Sequence, residues 1–264
     1  MKEQQPLVSV LMTAYNREQY IAAAIESVLH STYTNFELII VDDCSADNTV
    51  ATARNYAEKD QRIKVSVNKK NLGDYPNRNH AASLAVGKYI KYLDSDDIMY
   101  PHCLEAMVNC MERFPEAGYG LSAVYDAKGP YPFILSQHDA YIEHFYGFGH
   151  FHRAPGSAII LKEAFEQVGG FSGKRMIGDT ELWFILSRNF PLVKMPMGLV
   201  WSRLHDAQES SSSYADNYAV LTKQVINEAF AHRDCPLSTS EKAAIKKILN
   251  RRKVKQQIGK LLKF

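Results

Sequence analysis

Long hydrophobic runs are missing from this chain of 264 residues. The segment Leu7 to Met12 is far too short to span a bilayer, and no later segment is long enough. No apolar stretch follows the polar start Met1-Lys2-Glu3-Gln4-Gln5-Pro6, so no secretory leader is read and a cytoplasmic location is expected. Cysteine is scarce. Cys44, Cys103, Cys110 and Cys235 form no CxxC pair and no zinc-ligand spacing, which predicts free thiols rather than a disulfide framework or a zinc ribbon. Charge of one sign is also absent: 31 Lys and Arg face 29 Asp and Glu, a net charge of +2. That balance by itself argues neither for nor against a nucleic-acid partner, and none is expected. Glycine-rich phosphate loops are lacking too. No GxxxxGK[ST] occurs, no GxGxxG follows the first strand, and Thr13 to Gln19 holds no glycine. P-loop NTPases, dinucleotide dehydrogenases and nucleotidyltransferases are thereby disfavoured.

What is present is 46% hydrophobic residues, enough for one large core or a domain with a small appendage. The first half alternates strand and helix patterns. Leu7 to Met12 and Phe36 to Val41 read as buried parallel strands, with Ile63 to Val67 and Lys88 to Leu93 as the third and fourth. Ile21, Ile25, Val28 and Leu29 mark a helix. Asp47 is the expected N-cap of another from about Thr49 to Lys59, Ala81 to Ala85 lies in a third, and Pro101 opens a fourth. This order implies an α/β fold with a mostly parallel, doubly wound sheet. The second half is less regular. Ser157 to Leu161 reads as a strand, Lys162 to Val168 as a helix stopped by Gly169-Gly170, Asp179 to Arg188 as a helix, and Val200 to Leu204 as a strand. Ser210 to Ser213 reads as a mobile loop, and the chain from about Tyr214 onward as helical.

Ligands in such sheets sit beyond the carboxyl ends of the strands. That rule gathers Thr13-Ala14-Tyr15-Asn16, Asp42-Asp43 and Asp94-Ser95-Asp96-Asp97 in one place. Two carboxylates two residues apart on a turn can face one divalent ion that bridges phosphate oxygens. An Asx turn and helix cap before Pro101 would use the same residues.

At these residues a family becomes recognisable. Val8 to Asn16, Glu37 to Ser45 and Gly87 to Asp97 resemble family 2 glycosyltransferases of the GT-A fold, a Rossmann-like architecture. Asn77-Arg78-Asn79 resembles the family's Ala-Arg-Asn element, and the likeness extends through Gly169-Gly170-Phe171 and Asp179 to His205. It covers about Val8 to Ser212, and its motifs are specific as an ordered set.

The resemblance implies roles. Thr13 and Tyr15 take the nucleotide, Tyr15 by stacking on the base. Asp43 accepts the uracil N–H, with Asp42 the second candidate. Asp94 contacts the ribose beside Ser95, and Asp96 is the metal ligand. Carboxylates and aromatic faces suit those tasks. Arg78, after the loop Asn71 to Pro76, would steady the diphosphate or sugar. Alternatively it is a helix-start arginine paired with a carboxylate. Asp179 is the implied catalytic base and Glu181 the runner-up. The family has an acidic residue directly before the base, where this chain has Gly178. Asp179 can equally cap the helix it begins. His205, in a late His-x-x-Gln-x-Ser element (His205, Gln208, Ser210), completes the metal site or binds the diphosphate.

Two regions are read from composition alone. Asp126 to Arg153 is rich in aromatics, with His138, His144, His150 and His152 in no zinc spacing. An aromatic lid or acceptor platform is the expectation. The stretch Lys242 to Phe264 is basic. Its apolar positions Ile245, Ile248 and Leu249 lie nearly opposite Val254, Ile258, Leu261 and Leu262, which predicts two short helices broken near Arg251. Docking on an anionic membrane surface, peripherally at the inner face, competes with a solvated tail packed on its own domain.

The expected organisation is a GT-A domain over 1–212, divided into a nucleotide-sugar half (1–125) and an acceptor half (126–212), with a helical tail over 213–264. The expected activity is inverting transfer from a nucleotide diphosphate sugar, a UDP-sugar foremost, to a glycan or lipid-linked acceptor in cell-surface polysaccharide synthesis. The implied cofactor is Mn²⁺ or Mg²⁺. The rival is a non-catalytic nucleotide-sugar-binding subunit, favoured only by Gly178.

Overall fold

A computed structural model describes residues 5–122, 129–147, 149–205 and 217–261, with side chains to 251. The first four sheet strands are the ones the apolar runs predict: β1 Val8–Ala14, β2 Phe36–Asp42, β3 Ile63–Val67 and β4 Tyr89–Asp94. β1 and β2 are buried along nearly all their length. Strands covered on both faces need apolar residues at both alternating sets of positions, which is why they read as runs. They pair in parallel in the order β3-β2-β1-β4. The crossovers are α1 Ile21–Leu29, α2 Thr49–Ala57 and α3 Asp74–Ser83. Asp47 is not the N-cap of α2; Asn48 is. Asp47 sits one residue earlier and accepts from the Thr49 N–H at 3.0 Å, so it still meets a donor at the helix start.

The second half continues the same sheet with mixed direction. β6 Tyr119–Ser122, β7 Phe133–Leu135, β8 Ala158–Leu161 and β9 Leu192–Met195 extend it to eight strands, β3-β2-β1-β4-β8-β6-β9-β7. β8 is antiparallel to both β4 and β6, β7 is antiparallel to β9, and β6 and β9 are parallel. A separate ribbon pairs β5 Ile98–Met99 with β10 Val200–Trp201. The expected strand Val200 to Leu204 thus ends at Trp201, where the chain turns to meet Asp97. Helices α4 Cys103–Glu112, α5 Gln137–Tyr146, α6 Lys162–Gln167 and α7 Gly178–Asn189 cover the faces.

Two expectations need correction. The aromatic segment is not a lid. Tyr141, Phe145 and Phe151, with His144 and His150, are buried. Their rings pack on Phe184 of α7 and on Phe230, and Tyr146 alone of the aromatics described in that stretch is as exposed as 50%. Apolar burial outweighed any surface role. The basic stretch is not two helices either. After α8 Tyr218–Ala231, a single helix α9 runs Thr239–Leu261. It contains no proline, its one glycine is Gly259, and Lys, Arg, Gln and Leu sustain a helix whatever the phase of the apolar positions. α8 buries Val225, Ile226, Ala229 and Phe230 in the same core as Trp183, and Ile245 of α9 is fully buried there. The expected loop 210–213 lies outside the described residues. No helix among the described residues is long and apolar enough to cross a membrane.

Candidate functional site

The carboxyl ends of β1, β2 and β4 lie side by side. Thr13 pairs with Asp94 in the β1–β4 register, and Ala14 with Asp42 in the β1–β2 register. Tyr15, just past β1, is 48% exposed with its ring available for stacking. Asp42 and Asp43 are both buried. Asp42 folds its own turn, accepting from the Ser45 N–H at 2.8 Å and the Ser45 hydroxyl at 2.5 Å. Asp43 reaches across to the segment before α3. Its Oδ1 accepts from Asn68 Nδ2 and the Leu72 N–H, and its Oδ2 from the Gly73 N–H, each at 2.8 Å. A carboxylate offers about four lone-pair positions, so one remains on Oδ2 for a further donor. Gly73, at φ 87°, occupies backbone space that favours glycine.

Each acid of the Asp94-Ser95-Asp96-Asp97 turn has a different partner, and Ser95 is buried among them. Asp94 Oδ1 accepts from Arg78 Nη2 at 2.6 Å, while Arg78 Nε donates to Asp74 Oδ1 at 2.7 Å. The Arg78 side chain is only 8% exposed, and its two carboxylates hold it charged by raising its pKa against the pull of burial. Asp96 Oδ2 accepts from Arg17 Nε at 3.0 Å and from His205 Nε2 at 2.9 Å. The His205 ring stacks on Tyr20, centroids 4.8 Å apart, and its buried Nδ1 has no hydrogen-bond partner among the described residues. Asp97 anchors the segment after β10 that delivers His205. It accepts from the Arg203 N–H at 3.0 Å and the Ser202 hydroxyl at 3.2 Å, and Arg203 Nε donates to the Asp96 carbonyl at 3.0 Å. Burial, then the neighbouring charges of Asp94 and Asp96, push the Asp97 carboxyl up to about 6.

Beneath this turn Lys91 is fully buried. Its ammonium donates to the Tyr92 carbonyl at 2.9 Å and to the Gly156 carbonyl, tying the turn Pro155–Ser157 to β4. Burial lowers its pKa, partly offset by Asp94 and Asp97.

Asp179 stands in the first turn of α7, half-buried, with Oδ1 accepting from the Thr180 N–H at 2.6 Å. Burial pushes its carboxyl up to about 6, against the lowering effects of that hydrogen bond and of Arg78. α3 links it to the nucleotide edge, because Tyr75 touches Asp179 while Arg78 touches Asp94. The runner-up base Glu181 is instead tied to Lys174 at 2.7 Å and to the Ser172 hydroxyl.

Of the nine residues singled out from sequence, the strand ends bring Thr13, Tyr15, Asp43, Asp94, Ser95 and Asp96 together, Arg78 and His205 join them through direct contacts, and Asp179 reaches them through α3. Sequence reasoning missed Arg17, Tyr75, Asp74, Arg203 and Lys91. Arg17 follows Asn16 directly on the loop after β1, and that position was the available signal.

A mostly parallel sheet that ends in three acidic and aromatic turns, followed by an antiparallel strand and a further half sheet, is the GT-A class of α/β fold. A family model described as Glycosyl transferase family 2 matches residues 9–169, and the chain belongs to that family. An uncharacterized glycosyltransferase of Haemophilus influenzae is 40% identical over 111 residues, which is 42% of this chain and 34% of the relative. UDP-Glc:alpha-D-GlcNAc-diphosphoundecaprenol beta-1,3-glucosyltransferase WfgD of Escherichia coli is 43% identical over 105 residues, 40% of this chain and 41% of that protein. The matches to these curated relatives therefore span less than half of either protein. Among solved structures, S. aureus TarS in complex with UDP-GlcNAc superposes with a TM-score of 0.70 at 19% identity, covering 90% of this chain and 70% of that one. Mannosyltransferase PcManGT from Pyrobaculum calidifontis, in complex with GDP-Man and Mn²⁺, gives 0.64 at 17% identity, covering 87% and 66%. At such identities these two structures speak to the fold.

Proposed function

We propose that the protein is an inverting glycosyltransferase that moves a sugar from a nucleotide diphosphate sugar, a UDP-sugar foremost, to a hydroxyl of a glycan or lipid-linked acceptor in cell-surface polysaccharide synthesis. The observation that carries the reading is the convergence of Asp94, Asp96 and His205 at one strand edge, with a raised-pKa carboxyl, Asp179, across α3 from it. TarS binds UDP-GlcNAc and WfgD is named for a lipid-linked acceptor, and both support the reading by kinship.

A divalent ion, Mn²⁺ or Mg²⁺, fits the donor chemistry here. Asp96 offers a carboxylate oxygen and His205 an imidazole with one nitrogen unpartnered among the described residues, an oxygen and nitrogen set such ions accept. Among the described residues no group of three or more His, Cys, Asp or Glu forms a ligand set by itself, so diphosphate oxygens would complete the coordination. Bound there, the ion supplies positive charge to the leaving diphosphate.

The chain's own residues do the rest. Tyr15 stacks on the base, Asp43 orients it through its remaining lone pair, and Thr13, Asp94 and Ser95 line the ribose edge. Arg78 is the fixed cation nearest Asp94 and steadies the sugar diphosphate. Asp179 takes the acceptor hydroxyl's proton at its carboxylate as the oxygen attacks from the face opposite the leaving group, which inverts the anomeric centre. A carboxyl near 6 is ionised at neutral pH yet basic enough for that task.

Titration calorimetry with UDP, GDP and dTDP, each with and without Mn²⁺, tests the donor site. Metal-enhanced binding of one nucleotide is expected. No binding of any nucleotide by folded protein overturns the reading.

A further inference from the structure

The position before Asp179 is a place where the site motifs break the family pattern, and the structure explains the break. Gly178 lies directly under the Tyr75 ring. A Cβ at 178 would come within 2.8 Å of ring carbons Cδ2 and Cε2 and 3.0 Å of Cζ, closer than packed carbon atoms approach. Tyr75 is 5% exposed, and the Phe171 ring packs against it, centroids 4.9 Å apart. A buried ring in such contact moves only by displacing its neighbours. Its hydroxyl accepts from the Asp179 N–H at 3.2 Å, and its nearness is among the effects that lower the Asp179 carboxyl against burial. A phenol carries one proton and can accept as well, so it can serve both partners at once.

We infer that Tyr75 is the positioning residue for Asp179, its ring filling the volume an acidic side chain at 178 would take and its hydroxyl fixing Asp179 at both amide and carboxylate. This rests on Asp179 being the base. The exchange has a chemical consequence. An acid beside the base would repel its charge, whereas a phenol donates to it. Burial and the nearby carboxylates of Asp179 and Asp74 raise the Tyr75 pKa, so the donor keeps its proton throughout the working range. The other groups facing Asp179 are Asp74 and Arg78 on α3, Thr180 on α7 and Tyr218 on α8. Tyr75→Phe leaves all of them in place.

The test follows the Asp179 carboxyl carbon by NMR in the full chain. In Tyr75→Phe its titration midpoint should rise by about one unit from wild type, the size of one lost hydrogen bond to a charged acceptor. The acid limb of UDP release from UDP-GlcNAc should move by the same amount. A purely structural tyrosine would leave both unchanged, and that result overturns the inference. The reciprocal pair reads the same claim independently. Gly178→Glu alone should lose the fold, and adding Tyr75→Ala, which vacates the volume of the ring, should restore it. Failure of the second change to rescue the first also overturns it. Turnover that survives Asp179→Asn would instead remove the base assignment, whatever Tyr75 does to the titration.

Discussion

Replacing Arg78 with Met removes one buried guanidinium from between two carboxylates. The Arg78 side chain is 8% exposed, while Asp74 and Asp94 are 30% and 27% exposed. Stripping one partner from a fully buried pair costs about 3–5 kcal/mol, because a bare charge is left in a poor dielectric. Here both orphaned acids keep a path to water, and the methionine still covers the Tyr92 ring that Arg78 lies over at 5.7 Å. The expected loss is roughly 2 kcal/mol, a fall in Tm of about 4–8 °C for a chain of this size. Lys88→Met is the control. Lys88 meets Glu112 at the same 2.7 Å that separates Arg78 from Asp74, but its side chains are 47% and 41% exposed. An exposed pair contributes under about 1 kcal/mol and is screened by salt. Thermal unfolding of both variants by calorimetry, at low salt and in about 1 M NaCl, separates the two cases. The Arg78 deficit should persist in salt and the Lys88 deficit should vanish. Equal losses, or an Arg78→Met Tm within about 1 °C of wild type, would refute the claim that burial sets the value of the pair.

Three further outcomes follow from the same geometry. Asp179 has a folded pKa raised from 3.8 to about 6, so its contribution to stability is complete below its unfolded pKa and is lost as pH rises through about 6. Asp179→Asn should therefore raise Tm at about pH 8 and change little at about pH 4, while UDP release from a UDP-sugar falls by roughly a hundredfold or more. Because Arg17 and His205 already hold Asp96 Oδ2, Mn²⁺ measured by electron paramagnetic resonance should bind weakly without UDP. Arg17→Gln should strengthen that nucleotide-independent binding, and no change in the variant would refute the competition. Gly87→Ala would set a Cβ 2.7 Å from both the Leu7 carbonyl and the Ser9 N–H, backbone that cannot give. A loss of about 1–3 kcal/mol in denaturant unfolding is expected, against no comparable loss from space alone at open Gly129.

The centre of the parallel half was legible because β1, β2 and β4 are buried along nearly all their length, which favours an apolar run. The acidic turns were legible for the complementary reason. Asp42, Asp43, Asp94, Asp96 and Asp97 stop those runs abruptly, and the strand-end rule says where such residues meet. What escaped was whatever depends on partners distant in sequence. His144, Phe145 and Phe151 look like a surface platform until Phe184 and Phe230 cover them. The α5 start was readable locally, since the Ser136 hydroxyl accepts from the Asp139 N–H, but the region's lack of period hid it. α9 failed in the opposite direction. A shifting apolar face argued for a break, yet the backbone ladder continues wherever residues favour helix, and Ile245 and Leu249 pack its first turns on the core. Gly178 is the sharpest case. As a letter it reads as a lost acid and argues for a non-catalytic relative. Beneath the Tyr75 ring a Cβ would meet ring carbons at 2.8 Å, so the glycine answers to packing and, under the proposal above, to a different way of holding Asp179.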